Sequence, residues 1–110
     1  SIYDKAAEVG LDTTGDADLT LLTHDDETAL IKELLRFPEV IDRAAAQRAP
    51  HHVATYLREV ATAFSQFYGS CHIIGEDDAL GTARLKLADA TRTVLRNGLT
   101  VLGIDAPASM

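Results

Sequence analysis

One cysteine, no tryptophan and no long hydrophobic run are the first features of this 110-residue sequence. A single cysteine, Cys71, excludes the internal disulfide framework that stabilises many small secreted domains. No apolar stretch approaches the ~18 residues that span a bilayer. The first residues also lack the basic region and apolar segment of a signal peptide. These absences predict a cytoplasmic chain with no membrane partner.

Basic residues are also scarce, with ten Lys and Arg against 17 Asp and Glu and a net charge of −7. The imbalance lies in residues 1–30, which hold eight acids and one base (net −7), whereas residues 31–110 hold nine of each. Because phosphate contacts need Lys and Arg, this composition excludes a strongly basic nucleic-acid binder. It leaves open a local RNA-binding surface on the neutral part of the chain.

The sequence also lacks a constellation of residues that could catalyse a reaction. Cys71 and His72 are adjacent in a predicted loop, where neighbouring side chains seldom take up nucleophile–base geometry. The four histidines show no metal-ligand spacing with cysteine or carboxylates, and residues 75–86 lack the pattern of a phosphate-binding loop. We therefore expect no metal site, no cofactor and no catalytic activity in this chain by itself.

What the sequence does contain is helical periodicity in the spacing of its apolar residues. Residues 2–9 show it over a short length, so this segment is interpreted as the tail of a helix that begins before Ser1. After an acidic loop, Thr23 and Asp26 resemble a capping box at the start of the next helix. Pro38 is expected to end or kink that helix and to open another.

Two later helices are longer and show the period more clearly. The inner face of the first is predicted to hold Val53, Tyr56, Leu57, Val60, Phe64, Phe67 and Tyr68. The last helix is expected to be capped by Glu76 or Asp77 and to end or bend at Asn97-Gly98. Its inner face is predicted to hold Leu80, Ala83, Leu87, Ala90, Val94 and Leu95. With no strand alternation or internal repeat, the pattern predicts an all-α bundle of about five helices.

Two features are candidates for binding. Tyr68 and His72 fall at a helix end and in the connector after it, where half-exposed rings can stack on single-stranded bases. Packing under the connector explains them equally well. The last helix carries a row of arginines, of which Arg92 and Arg96 share an outward face and Arg84 projects near the apolar stripe, where it needs a partner. A solvated helix face and one structural ion pair would account for these arginines.

Short motifs occur in a fixed order from residue 19 to the end of the chain. They are LL (21–22), LLRFPEV (34–40), PH (50–51), YL (56–57), AF (63–64), FY (67–68), ARL (83–85), DATR (89–92), VLRNGL (94–99) and LGI (102–104). In this order they resemble the C-terminal DALR anticodon-binding domain of arginyl-tRNA synthetases. Two positions depart from the family: Thr91 replaces the leucine of its name-giving box, and the chain ends in PASM, where the family has PERM.

The resemblance implies a helical anticodon-binding domain over residues 19–110, with residues 1–18 as the tail of a first helix and an acidic loop. It further implies a class I enzyme that joins arginine to its tRNA with ATP and Mg²⁺ in a separate catalytic domain, whose signatures this chain lacks. The partners implied are that catalytic domain and the anticodon stem-loop of an arginine tRNA.

The resemblance also suggests roles for individual residues. By position, Tyr68, His72 and Met110 correspond to residues that meet the anticodon loop, where the family reads the central cytosine. Arg84, Arg92 and Arg96 match family arginines that either contact the RNA backbone or hold the helices together. Two alternatives are the related domain of a glycyl β subunit or cysteinyl synthetase, and a stand-alone helical module that binds protein through an apolar groove.

Overall fold

The computed structural model describes residues 17–75 and 77–103. These residues form a short 3₁₀ turn (Leu19–Leu21) and four α-helices, α1 (Asp25–Leu35), α2 (Phe37–Gln47), α3 (His51–Ser70) and α4 (Asp78–Val101). The predicted all-α fold is confirmed, with four helices in the described part instead of about five. The helix predicted over residues 2–9 lies outside the described residues. Within them, no helix combines the length and apolarity needed to cross a membrane.

Helix α3 is the centre of the bundle and packs against α1, α2 and α4. Its buried residues recur at spacings of three and four, because those positions share one face of a helix. Toward the C-terminal end of α3 the core contains Leu30, Phe67, Cys71, Ala83 and Leu87. Toward its N-terminal end a second group contains Ala44, Val53, Tyr56, Leu57 and Val60. The predicted inner face is therefore correct, except that Tyr68 is half exposed.

The start of α1 differs from the predicted capping box by one residue. The N-cap is His24, whose Nδ1 accepts a hydrogen bond from the backbone N–H of Asp26 at 3.0 Å. Glu27 completes the box, since its Oε1 accepts from the backbone N–H of His24 at 2.9 Å. A ring nitrogen can therefore fill the role that the Thr23 hydroxyl was expected to fill.

Pro38 lies in the first turn of α2, as its missing N–H allows, and α1 ends just before it. Helix α2 is followed by its C-cap residue, Arg48, which has left-handed backbone angles (φ 52°, ψ 45°). This conformation usually favours glycine at a helix C-terminus. The reversal places the start of α3 against α2.

Helix α4 corrects two predictions. It begins with the Asp77 cap, which accepts from the N–H groups of Ala79 and Leu80, but it continues past Gly98 to Val101 and does not end at Asn97-Gly98. A Cβ added at Gly98 would lie 2.5 Å from Cδ2 and 3.1 Å from Cγ of Leu57 on α3. Gly98 is thus a notch that lets the two helices approach closely, and helix packing outweighs the low helix propensity of glycine.

The second correction on α4 concerns its inner face. Ala90 was expected to be buried but is exposed, and Thr91 is buried in its place. The Thr91 hydroxyl donates to the carbonyl oxygen of Leu87 at 2.9 Å, so its polar group is satisfied within the helix.

Tyr56 links α1 to α3 in the part of the core toward the N-terminal end of α3. Its hydroxyl donates to the carbonyl oxygen of Glu33, near the end of α1, and the Arg36 guanidinium lies 5.5 Å from the centre of its ring. Burial raises the pKa of Tyr56 to about 12, the Glu33 carboxylate adds to this rise, and Arg36 opposes it.

Tyr56 should make the stability of the protein depend on alkaline pH. An unfolded tyrosine ionises near pH 10 and the folded one near pH 12, so its stabilising contribution is complete below pH 10 and is lost as pH rises toward 12. Urea unfolding across this range should show the decline in the wild type. Tyr56→Phe should cost about 1 kcal/mol at neutral pH, where the hydroxyl bond is intact, and should remove this part of the decline. Equal declines in both proteins would contradict the assignment.

Candidate nucleic-acid interface

Tyr68 lies in the last turn of α3 and leaves 47% of its surface exposed. One face of its ring stacks on Phe64, with ring centres 5.8 Å apart and ring planes 21° apart. Phe64 in turn contacts the fully buried Phe67 at 5.8 Å between ring centres. The three rings contact one another in series from the core to the surface. These contacts hold the Tyr68 ring in place and leave part of it exposed to solvent.

His72 follows in the connector between α3 and α4 and is exposed. The residues on either side of it point inward, because Cys71 is buried with Phe67 and Leu87 while Ile73 is buried with Leu85 and Ala88. The backbone at Cys71 is extended (φ −119°, ψ 104°), and successive side chains in extended backbone point to opposite sides. The His72 ring is therefore directed to the surface at the same end of α3 that carries Tyr68.

Arg84 is buried, although the sequence left its role open between RNA contact and structure. Its Nε donates to Glu27 Oε2 at 2.7 Å, in an ion pair whose side chains are 11% and 1% exposed. Its Nη1 donates to the carbonyl oxygen of His72 at 2.7 Å. The guanidinium is thus occupied inside the bundle, at the point where α1, α4 and the connector meet.

Arg92 and Arg96 lie on the exposed side of α4, and Arg92 also pairs with Asp89 at 3.2 Å. With a rise of 1.5 Å per residue, they are about 21 and 27 Å along α4 from its first residue, which adjoins the connector. The structure does not bring them together with Tyr68 and His72. Met110, the third residue predicted at the anticodon loop, lies outside the described residues.

Sequence reasoning missed Glu27 as the partner of Arg84. In sequence Glu27 is one of three acids in the first turn of α1, a pattern that electrostatics at a helix N-terminus explains without any partner. Its partner is 57 positions away. The one available signal was the position of Arg84 near an apolar stripe, which required some carboxylate without identifying it.

Cys71 has no features of a nucleophile. It is buried, and burial raises the pKa of its thiol, with the Glu27 carboxylate adding to the rise and Arg84 opposing it. A thiol with a raised pKa holds little thiolate near neutral pH, and the thiolate is the reactive form. Among the described residues, no group of three or more His, Cys, Asp or Glu side chains could hold a metal ion.

The chain is thus a small helical bundle that presents a stacked, half-exposed aromatic ring, Tyr68, at the end of a helix. These features are typical of a surface that binds a planar ring such as a nucleic-acid base. Comparison with known proteins identifies the family. The sequence model of the DALR anticodon binding domain matches residues 1–110, so the chain belongs to the DALR anticodon binding domain family.

The chain is also similar to arginine–tRNA ligases of several organisms. The chain is 64% identical over 110 residues to the arginine–tRNA ligase of Salinibacter ruber, and 48% and 44% identical to those of Halorhodospira halophila and Carboxydothermus hydrogenoformans. Each match covers 100% of this chain but only 19–20% of the relative. The chain therefore spans about a fifth of the length of these relatives. No solved structure matches it significantly.

Proposed function

We propose that this chain is the anticodon-binding domain of a cytoplasmic arginine–tRNA ligase, and that Tyr68 and His72 meet the anticodon loop of an arginine tRNA. The observation that carries the proposal is the Tyr68 ring, which is stacked on Phe64 and 47% exposed. Membership of the DALR family supports it, and the names of the relatives favour arginine over glycine or cysteine as the amino acid.

Each of the two residues has a distinct role in this proposal. A base of the anticodon loop stacks on the open part of the Tyr68 ring, a contact that tolerates any base because every base has a π face. His72 then contributes a hydrogen bond to the edge of that base, as donor or acceptor according to its tautomer. Stacking holds the base where His72 can reach its edge, and the hydrogen bond distinguishes cytosine from the other bases. Loss of the Tyr68 ring should therefore weaken binding and also reduce the discrimination that depends on this placement. Met110 is kept in the proposal as a third contact.

The chemical step belongs to the remaining part of the ligase. ATP and Mg²⁺ would act there, and the residues of this chain do not fit that role, since the sequence contains no phosphate-binding loop. This chain by itself should therefore form no arginyl-adenylate. Its contribution is to bind and orient the anticodon end of the tRNA.

The test of this proposal is the salt dependence of RNA binding by the chain. Residues 31–110 have no net charge, and each neutralised phosphate contributes roughly −0.7 to −0.9 to the slope of log K against log salt. We propose that at most Arg92 and Arg96, on the exposed side of α4, add contacts to the RNA backbone. We therefore expect weak binding of an anticodon stem-loop with a slope of about −2 or shallower.

The control in this experiment is the same stem-loop with its central anticodon cytosine replaced. It should bind more weakly than the cognate stem-loop at every salt concentration, because the lost contact is not electrostatic. Nanomolar affinity with a steep slope, equal for both RNAs, would mean that the chain binds the phosphate backbone without reading the anticodon, and the proposal would be wrong.

A further inference from the structure

The buried Arg84 ion pair has a role beyond holding helices together. We propose that Arg84, fixed by Glu27, is the positioning residue that holds the connector in the conformation that presents His72 to RNA. This inference rests on the proposed function, since it concerns how the same site is shaped. Arg84 touches no RNA and acts through the backbone of His72.

Glu27 is itself held through both of its carboxylate oxygens. Its two carboxylate oxygens have separate tasks, because Oε1 accepts from the backbone N–H of His24 at 2.9 Å and Oε2 accepts from Arg84 Nε at 2.7 Å. The same carboxylate therefore closes the cap of α1 and anchors Arg84. With Glu27 almost fully buried, neither contact competes with water.

The Arg84 guanidinium makes two hydrogen bonds that point in different directions. Nε is bound to Glu27, while Nη1 points in another direction and donates to the carbonyl oxygen of His72 at 2.7 Å. A guanidinium is planar and rigid, so fixing one of its edges fixes the direction of the other. The position of the His72 carbonyl is thereby set by α1, although the connector joins α3 to α4.

The contact with Arg84 also constrains the direction of the His72 side chain. Cys71 and Ile73 are buried on either side, and the His72 carbonyl is drawn inward by Arg84. With both neighbours and the carbonyl facing the core, the ring has only the outward direction, beside the last turn of α3. Gly75, with φ +97°, then turns the chain toward Asp77 and α4.

A stabilising role and a positioning role make different predictions for replacement of the pair. Burying a charge pair removes water from both ions, and apolar replacements of similar volume are often as stable or more stable. A pair that serves only to stabilise could thus be exchanged for Leu and Met without loss. A pair that positions the connector could not, because Met has no donor for the His72 carbonyl.

Two variants of the ligase that contains this chain test the inference. Arg84→Lys keeps the charge near Glu27 but loses the rigid fork. The double variant Glu27→Leu/Arg84→Met removes both charges and keeps the volume. In each we would measure amide hydrogen exchange of residues 72–75, exchange of core amides such as those of Val60 and Phe67, and charging of cognate and anticodon-substituted tRNA. Arg43→Lys, in the exposed pair with Glu39, is the matched control.

We expect both variants to increase exchange of residues 72–75 at least tenfold relative to the core amides. The ratio of kcat/KM values for cognate and substituted tRNA should fall about tenfold, and Arg43→Lys should change neither quantity. If connector exchange stays unchanged, or rises only in step with the core amides, the inference is wrong. It is also wrong if the connector loosens while the double variant keeps the wild-type ratio.

A further variant separates failure of this inference from failure of the proposed function. Tyr68→Ala should lower the same charging ratio whether or not Arg84 positions the connector. If Tyr68→Ala lowers the ratio and the Arg84 variants do not, the proposed function stands and the positioning role of Arg84 is rejected. If neither change affects the ratio, the anticodon site itself is misplaced and both proposals fail.

Discussion

In the arginine–tRNA ligase proposed above, Tyr68→Ala is expected to lower kcat/KM for charging of arginine tRNA by about tenfold or more. Stacking of one base on an aromatic ring is worth roughly 1–3 kcal/mol, and about 1.4 kcal/mol corresponds to a factor of ten. Phe64 holds the Tyr68 ring in place from one side, so Tyr68→Ala removes the exposed stacking surface that the ring offers. Tyr68→Phe should have a much smaller effect, because it keeps the stacking face.

The control for this prediction is Leu35→Ala. Leu35 is also a large exposed apolar side chain, but it lies at the end of α1 that faces away from Tyr68, near the bond between Glu33 and Tyr56. It should leave charging unchanged. If Tyr68→Ala lowers the melting temperature yet leaves the ratio between wild-type and anticodon-substituted tRNA unaltered, Tyr68 is only a packing residue.

The largest loss of stability is expected from Glu27→Ala. This change leaves the Arg84 charge buried without its carboxylate and removes the acceptor for the His24 N–H. Breaking a buried pair by deleting one partner typically costs about 3–5 kcal/mol. Since domains of this size are stable by only about 5–15 kcal/mol, the variant should lose a large part of its free energy of unfolding, which urea titration followed by circular dichroism would reveal.

Glu39→Ala offers a matched comparison on the surface. Glu39 pairs with Arg43 at 3.1 Å, but their side chains are 70% and 61% exposed, and exposed pairs contribute about 0.2–1 kcal/mol. Similar losses from Glu27→Ala and Glu39→Ala would show that burial of the Arg84 pair has no energetic importance.

The parts of this fold that the sequence predicts are those determined by neighbours within one or two turns. The inner face of α3, the Asp77 cap and the opening of α2 at Pro38 depend on spacings of four residues or fewer, and they appear as expected. The His24 cap was displaced by one residue because several side chains can accept from the same N–H groups. Local pattern is a reliable guide where the interaction is local.

The remaining features depend on residues far apart in sequence. Helix α4 continues through Gly98 although glycine has a low helix propensity. The residue is a glycine because Leu57 of α3 occupies the space where a side chain would be. The exposure of Ala90 follows from which side of α4 meets α1 and α3, and the Arg84 pair joins positions on two helices. At the candidate site, spacing places Tyr68 and His72 at one end of α3, whereas the mechanism that orients His72 becomes visible only in three dimensions.

The close packing at Gly98 affects how far α3 and α4 can move relative to each other. To slide α4 along α3, Leu57 would have to leave the notch and climb over the side chains of the adjoining turns, which close-packed helices resist. The two helices are thus clamped near one end by Leu57 and tethered at the other by the connector. Helix α3 has 20 residues, so the two helices in contact form a rigid unit about 30 Å long. We therefore expect α3 and α4 to move together as one rigid unit and not to slide past each other.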